Sequence, residues 1–268
     1  MLGGEFARHP GGKGANQAVA ATRAGARVSF VGRYGDDEFG RAARAGLRRE
    51  GIDVRHFRVC PDAASGVALI LLGGRSRENL IGVARSANDH VSPADVAAAA
   101  PLFARAGAVL CQLEIPLAAV EAAAELCAQS GAPFILNPAP ARKLSRRLLR
   151  HVHALTPNEV EAKALTGSSD PAVAGRLLRR YGCRHVLITM GARGVWVCSE
   201  GEEGIVRSPR VRPVDTVGAG DCFSAWLAVG IAEGMTIREA AVLAARAASV
   251  AVTRSGAQPG MPFRSEVR

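Results

Sequence analysis

Short apolar runs rich in Val, Ile and Leu alternate along the chain with Ala- and Arg-rich stretches whose apolar positions recur at the helical period. The runs predict strands at 28–32, 67–72, 79–84, 108–113, 133–137, 153–156, 185–190, 195–199 and 205–211. The stretches predict helices over 14–24, 37–50, 93–105, 116–130, 158–166, 171–181, 218–233 and 237–253. Ser92, Pro93 and Asp95 supply a cap, a first-turn proline and an early carboxylate, and Gly51, Gly131 and Gly182 stand where helices should stop. Such alternation implies an α/β fold of three layers, with a mostly parallel central sheet covered by helices on both faces. One stretch departs from it. Residues 66–85 form two apolar runs joined by a polar Gly-Gly-Arg-Ser-Arg turn with no helix between, which predicts an antiparallel hairpin. It is either an edge decoration or a flap over a ligand. No repeat and no low-complexity linker interrupts the chain, so one domain over residues 1–268 is expected.

Composition narrows the class. A chain of 268 residues, 48% of them hydrophobic, buries roughly three quarters of its unfolded surface and needs no disulfide or metal staple. Cysteines 60, 111, 127, 183, 198 and 222 show no C-x-x-C pair, which predicts buried free thiols. No apolar run approaches the roughly 18 residues of a membrane span, and the first ten residues, with Glu5 and Arg8, lack a signal-peptide core. A soluble cytoplasmic protein without a membrane partner is expected. The net charge of +10 invites a nucleic-acid reading. Only Lys13, Lys143 and Lys163 are lysines, however, and the arginines are spread along the chain among abundant Ala, as genomic base composition would produce. No nucleic-acid partner is expected. The six histidines show no ligand spacing, the Arg142–Arg150 cluster reads as a solvated helix face, and Trp196 and Trp226 read as core.

Four segments carry chemistry. Pro10-Gly-Gly-Lys-Gly-Ala-Asn-Gln17 places three glycines around a lysine, so backbone can approach a ligand closely while Lys13 and Asn16 offer donors to hydroxyls or anions. It lacks the spacing of a Walker P-loop. Asp215-Thr-Val-Gly-Ala-Gly-Asp-Cys222 opens an apolar helix with small residues, whose free N–H groups and dipole make an anion hole; Asp221 lies one turn in, where an acid also favours the dipole. Thr189-Met-Gly-Ala-Arg-Gly194 follows a strand with a turn suited to close approach, and Arg193 could meet a phosphate. Thr156-Pro-Asn-Glu-Val-Glu161 sets Asn158 and Glu161 at i, i+3, on one side of a helix start, where they could hold water on Mg²⁺.

Together these segments resemble the ribokinase family of carbohydrate kinases. The resemblance lies in GGKGANQAVA at 11–20, GDDEFG at 35–40, QLEIP at 112–116, NPAPA at 137–141, TPNEVE at 156–161, TMGARG at 189–194, DTVGAGD at 215–221 and VTRSGAQPGMP at 252–262. It implies a three-layer αβα kinase with a small β lid, formed by residues 66–85 and about 1–10. It implies ATP-dependent phosphorylation of a pentose, D-ribose, to the 5-phosphate. Gly12, Lys13, Gly14, Ala15, Asn16 and Glu114 would then bind the sugar, with Asp221 the catalytic base. Asn158, Thr189, Met190, Gly191, Ala192, Arg193, Gly194, Gly218, Ala219, Gly220 and Ala245 would lie along the nucleotide. Asn158 and Glu161 would hold Mg²⁺ through water. Asp215, Val217, Ala251, Arg254, Gly256 and Gly260 match the family's monovalent-cation (K⁺) site, with Gly260 where a serine is frequent and Ala245 where His or Asn is frequent. A homodimer paired through the lid is also implied.

The family pattern includes an earlier strand ending in Gly-Ser-x-Asn-x-Asp, whose Asn and Asp clamp the sugar; this sequence starts after it. A start assigned too far downstream, or a shortened chain, is expected, with neighbouring backbone left unpaired at a cost of several kcal/mol. Three readings follow: a pentose or nucleoside kinase, a nucleotide-binding pseudokinase, and a basic nucleic-acid binder. Lys13 with Glu114 favours a free sugar, because adenosine would need a stacking aromatic and aromatics make up 4% of the chain.

Overall fold

Over residues 7–73 and 78–267, which the computed structural model describes, the predicted alternation is present. The chain runs α1 (Lys13–Arg23), β1 (Ser29–Gly35), α2 (Glu38–Arg49), β2 (Asp53–Cys60), β3 (Val67–Gly73), β4 (Glu78–Ala84), α3 (Pro93–Ala98), α4 (Ala100–Phe103), β5 (Val109–Cys111) and α5 (Leu117–Ser130). It continues through β6 (Phe134–Leu136), α6 (Arg146–Leu149), β7 (Ala154–Leu155), α7 (Glu159–Thr166), α8 (Pro171–Tyr181), β8 (His185–Thr189), β9 (Val195–Ser199), β10 (Glu202–Val206), α9 (Ala219–Ala232), α10 (Ile237–Ala251) and α11 (Ala257–Gly260).

The main sheet has the order β10-β9-β8-β7-β6-β5, parallel from β5 to β8 and antiparallel at β9 and β10. β6 is buried at every position and β8 at its three central ones, which is why both read as unbroken apolar runs: helices cover both faces. One face carries α1, α9 and α10, with Trp226, Phe223 and Leu227 in its core; the other carries α3, α5 and α8 over Phe134, Leu136, Leu148 and Leu178. Each large side chain so buried contributes about 1.5–3 kcal/mol. α9 is apolar all round because it is buried from Asp221 to Gly230.

β1 and β2 form a separate parallel pair. Phe30 and Tyr34 of β1 pack into the first core and Val31 into the second, as Leu110 and Val109 of β5 do. The pair therefore continues the same layer, yet among the described residues no strand bonds β1 to β5. β1 and β5 thus meet at a seam without strand-to-strand bonds among the described residues. β3 and β4 pair antiparallel over Val67–Ala84 to Gly73–Glu78, the predicted hairpin. Its base is tied down by Asp37, which caps α2 through Gly40 N and accepts from Ser65 N and Oγ at 2.7 Å each. Gly35 and Gly40 of the GDDEFG block are needed there, since a Cβ would lie 2.4 Å from Ser65 N and 2.3 Å from Gly35 O respectively.

Several expectations are corrected. β2 was not predicted: its buried residues, Val54, Phe57 and Cys60, recur every third position, which fits neither template. The last strand is 202–206, not 205–211, because Gly201 at φ 71 makes a tight hairpin with β9. The 93–105 helix breaks at Ala99. Of the Arg142–Arg150 cluster only Arg146–Leu149 is helical, with Arg146 over the Tyr181 ring and Arg147 paired to Glu125. Of the lid strand expected at about 1–10, residues 1–6 lie outside the described residues and 7–10 form no strand; the turn at 74–77 also lies outside them. Trp226 is fully buried, whereas Trp196 is partly so. The cysteines are unpaired, as expected. Among the described residues no helix is long and apolar enough to cross a membrane.

Candidate active site

Because β5 to β8 are parallel, their carboxyl ends share one edge of the sheet, where open α/β sheets bind ligands. Gln112 and Glu114 follow β5, Asn137 follows β6, Thr156 and Asn158 follow β7, and Thr189 ends β8. The N-termini of α1 and α9 meet them from one face. Thus segments far apart in sequence supply one cleft edge.

Lys13 opens α1, and its backbone N–H donates to Glu114 Oε2 at 2.9 Å, joining the glycine-lysine loop to the QLEIP segment. One turn into α1, Asn16 Nδ2 donates to Asp221 Oδ2 at 2.9 Å. Asn16 is 5% exposed and its Oδ1 is a buried acceptor without a donor in the protein. Leaving such an atom unmet costs about 1–3 kcal/mol, which a ligand hydroxyl would recover. Burial pushes the Asp221 carboxyl above its usual range, and the Lys13 ammonium and the amides of Asn16 and Gln17 oppose that rise. Gly12, Gly14 and Ala15 lie in the same loop and first turn.

α9 begins differently from most helices in the chain. Ser92, Asn158, Asp170 and Thr236 cap their helices with side chains, but α9 starts at Gly218 with no side-chain cap. Gly218 sits at φ 80, and a Cβ there would meet Ala257 at 3.1 Å. The uncapped turn leaves the N–H groups of Gly220 and Asp221 available, with the positive end of the helix dipole, to an anion.

Asn158 and Glu161 form a capping box: Asn158 Oδ1 accepts from Glu161 N and Glu161 Oε2 from Asn158 N, both at 2.8 Å. The i, i+3 spacing thus first serves the helix start. Burial raises the Glu161 carboxyl, the Asn158 N–H and Lys13 counter this, and the Asp221 charge adds to the rise, so these groups share one field. Among the described residues no group of three or more His, Cys, Asp or Glu side chains is placed to hold a metal ion. Thr189 bridges Asn158, its N–H donating to Pro157 O at 2.9 Å, and the 189–194 turn closes by Met190 N to Gly194 O at 2.8 Å. Arg193 pairs with Glu159 on the surface. Ala245 is not with these residues on open surface: it is 2% exposed in the α9/α10 core, while Arg246 beside it is exposed.

The predicted cation loops come together. Asp215 Oδ1 accepts from Val217 N and its Oδ2 from Gly256 N, both at 2.9 Å. The carbonyls of Ala251 and Arg254 lie 3.3 and 3.8 Å from where a Cβ of Gly260 would stand. Arg254 points its side chain away, to Glu266.

Sequence reasoning missed the second layer. Gln17, Gln112, Asn137, Thr156 and Ser224 form a buried polar network behind Asp221. Their signal was present, since Gln17, Gln112, Asn137 and Thr156 each sit inside a quoted block.

A three-layer fold around a mostly parallel sheet, with a glycine-lysine loop and a buried carboxylate at an uncapped helix start, fits a carbohydrate kinase. The pattern of the pfkB family of carbohydrate kinases matches residues 1–264, and the chain belongs to that family. It is 42% identical over 267 residues to the ribokinase of Bacillus subtilis, covering 100% of this chain and 89% of that protein. It is 38% identical over 261 residues to the ribokinase of Haemophilus influenzae, covering 96% and 85%. The structure of Arabidopsis thaliana ribokinase complexed with ribose and ATP superposes with a TM-score of 0.89 at 30% identity, covering 100% of this chain and 91% of that one.

Proposed function

We propose that this protein is an ATP-dependent kinase of a free pentose, D-ribose, giving D-ribose 5-phosphate and ADP. The observation that carries this is the position of Asp221: its carboxylate is held by Asn16 of the glycine-lysine loop and stands one turn inside the uncapped start of α9. A sugar in that loop presents its primary hydroxyl to the carboxylate, and the γ-phosphate lies against the helix start. Asp221 takes the hydroxyl proton as the oxygen attacks phosphorus. The N–H groups of the Gly218–Asp221 turn carry the charge that develops on the transferring group.

Gly12, Lys13, Gly14, Ala15, Asn16 and Glu114 bind the sugar; the unpartnered Asn16 Oδ1 accepts one of its hydroxyls. The 189–194 turn and Asn158 line the nucleotide, with Arg193 free to leave its exposed partner Glu159 for a phosphate and the exposed Arg246 replacing the buried Ala245 as the contact to the base. Glu161 and Asn158 would hold Mg²⁺ through its waters, and the ion would supply charge neutralisation on the phosphates. K⁺ would be held by backbone carbonyls of Ala251 and Arg254 with the Asp215–Val217 and Gly256–Gly260 loops, the absent hydroxyl at Gly260 leaving one position to water.

The β3–β4 hairpin acts as the lid of this single domain. Its last arm reaches the sugar side, where Arg85 Nε donates to the Glu114 carbonyl at 3.3 Å. Leu69 and Val83 are 65% and 60% exposed on opposite faces of the hairpin, which supports a homodimer in which a second lid covers one of them. A cytoplasmic setting fits the unpaired cysteines.

A coupled ADP-release assay over ribose, deoxyribose, fructose and adenosine tests the reading. Ribose should show the largest kcat/KM, and Asp221→Asn should lose about 10³-fold or more in kcat with nucleotide binding kept. Absence of turnover with any pentose overturns it.

A further inference from the structure

Two oxygens of one buried carboxylate are held by two neighbouring amides. Asn16 takes Asp221 Oδ2, and Gln17 Nε2 donates to Oδ1 at 2.9 Å. Sugar recognition gives Asn16 a task but none to Gln17, which is 2% exposed.

The bonds around Gln17 admit one sense of its amide. The Thr156 carbonyl can only accept, so Asn137 turns Nδ2 to it, at 2.9 Å, and its Oδ1 toward Gln17. Gln17 then faces two acceptors, Asn137 Oδ1 at 3.1 Å and the Asp221 carboxylate, and its two Nε2 hydrogens meet both. Its Oε1 accepts in turn from Gln112 Nε2. A side chain bonded on every side cannot change rotamer without breaking several buried hydrogen bonds.

We propose that Gln17 is a positioning residue for phosphoryl transfer: its amide, locked by Asn137 and Gln112, aims the Asp221 carboxylate and supplies one of the donors that keep it a base. This rests on the reading of Asp221 as the base. Burial works against ionisation of Asp221; the charged group facing it favourably is Lys13 on α1, and Glu161 on α7 faces it unfavourably. The adjoining Cys222 thiol stays protonated, pushed up by burial and by Asp221 itself. Gln17 and Asn16 are the neutral donors in this balance, and loss of either shifts it toward the protonated acid.

The test is the pH profile of kcat with saturating ribose and ATP, from about pH 5 to 9, for the full chain and its variants. Gln17→Met, of similar length but without donors, should lower kcat about tenfold at pH 7 and move the acid limb up by about one unit, with KM for ATP within about twofold. Gln17→Glu, which sets a second carboxyl against Asp221, should move the limb further. Gln112→Met, which frees the Gln17 amide to flip, should move it in the same direction by less. A purely structural role would lower thermal stability and leave the limb in place. An unmoved limb in Gln17→Met, or in Gln112→Met should Gln17→Met not fold, overturns the inference. Asp221→Asn separates the two readings. If it keeps parental turnover, the base assignment falls and this inference with it; if it is inactive while the Gln17 variants keep the parental limb, only this inference falls.

Discussion

At the scale of single residues, the chemistry turns on three charges in one small volume: Asp221, Glu161 and Lys13. Burial holds both carboxyls above their ordinary range, and Lys13 pulls both down. The active form of the base is the ionised one, so activity should fall on the acid side with a midpoint above about 3.9, the ordinary Asp value. Lys13→Met should move that midpoint higher and raise KM for ribose by about tenfold or more while KM for ATP changes little, read from kinetics with each substrate varied. Asp221, Lys13 and Asn16 were legible because each stands in a glycine-bearing motif whose purpose is local. Gln17 was not, although it adjoins Asn16, since its meaning depends on Asn137, 120 positions away, and on Asp221, 204 away.

Among the elements, two helix starts divide the work. α9 leaves its first turn without a side-chain cap, and α7 closes its own with Asn158 and Glu161. Gly218→Ala puts a Cβ at φ 80 and 3.1 Å from Ala257. That strain, about 1–2 kcal/mol, should lower Tm by several degrees and, on the proposed role of the disturbed N–H groups toward phosphate, cut kcat more than it changes KM for ribose. Glu161→Gln separates capping from metal binding. Gln preserves a capping box, so Tm should stay within about a degree while the Mg²⁺ needed for half-maximal activity rises several-fold; an unchanged Mg²⁺ requirement would leave Glu161 a capping residue alone. Most helices were legible from periodicity and caps. β2 was not, because its buried residues fall every third position on a strand paired on one edge only.

For the whole molecule, the seam between β1 and β5 and the histidine pair at the amino ends of β7 and β8 each bear on stability. The seam-facing amides of β1 and β5 have no strand partner among the described residues, so native-state hydrogen exchange should be faster there than at β8, which is paired on both edges. His153 and His185 meet edge to face with ring centroids 5.0 Å apart, beside Arg184. Burial first, then these neighbours, pushes His185 down to about 4 and His153 in the same direction. The unfolded chain, at about 6.5, binds the proton more readily, so stability is present above that pH and is lost as pH falls from 6.5 toward 4. His185→Asn should narrow the gap in Tm between pH 7 and pH 5, measured by calorimetry. Arginine provides the cation of the described ion pairs, from Arg23–Glu50 at 2.6 Å to Arg264–Glu233 at 2.9 Å.

The sequence by itself determined the alternation of strands and helices, the hairpin, and the segments that carry the candidate site residues, because period, caps and glycine-bearing loops act over a few neighbouring positions. Only the tertiary structure decided which of those loops meet. It is the parallel order of β5 to β8 that brings the ends after Cys111, Leu136, Leu155 and Thr189 to one edge, and the packing of α1 on α9 that sets Gln17 against Asp221. It also withdrew Ala245 into the core. A buried hydrogen-bond network needs every donor to find its acceptor in space, and a linear pattern contains the residues without the distances between them.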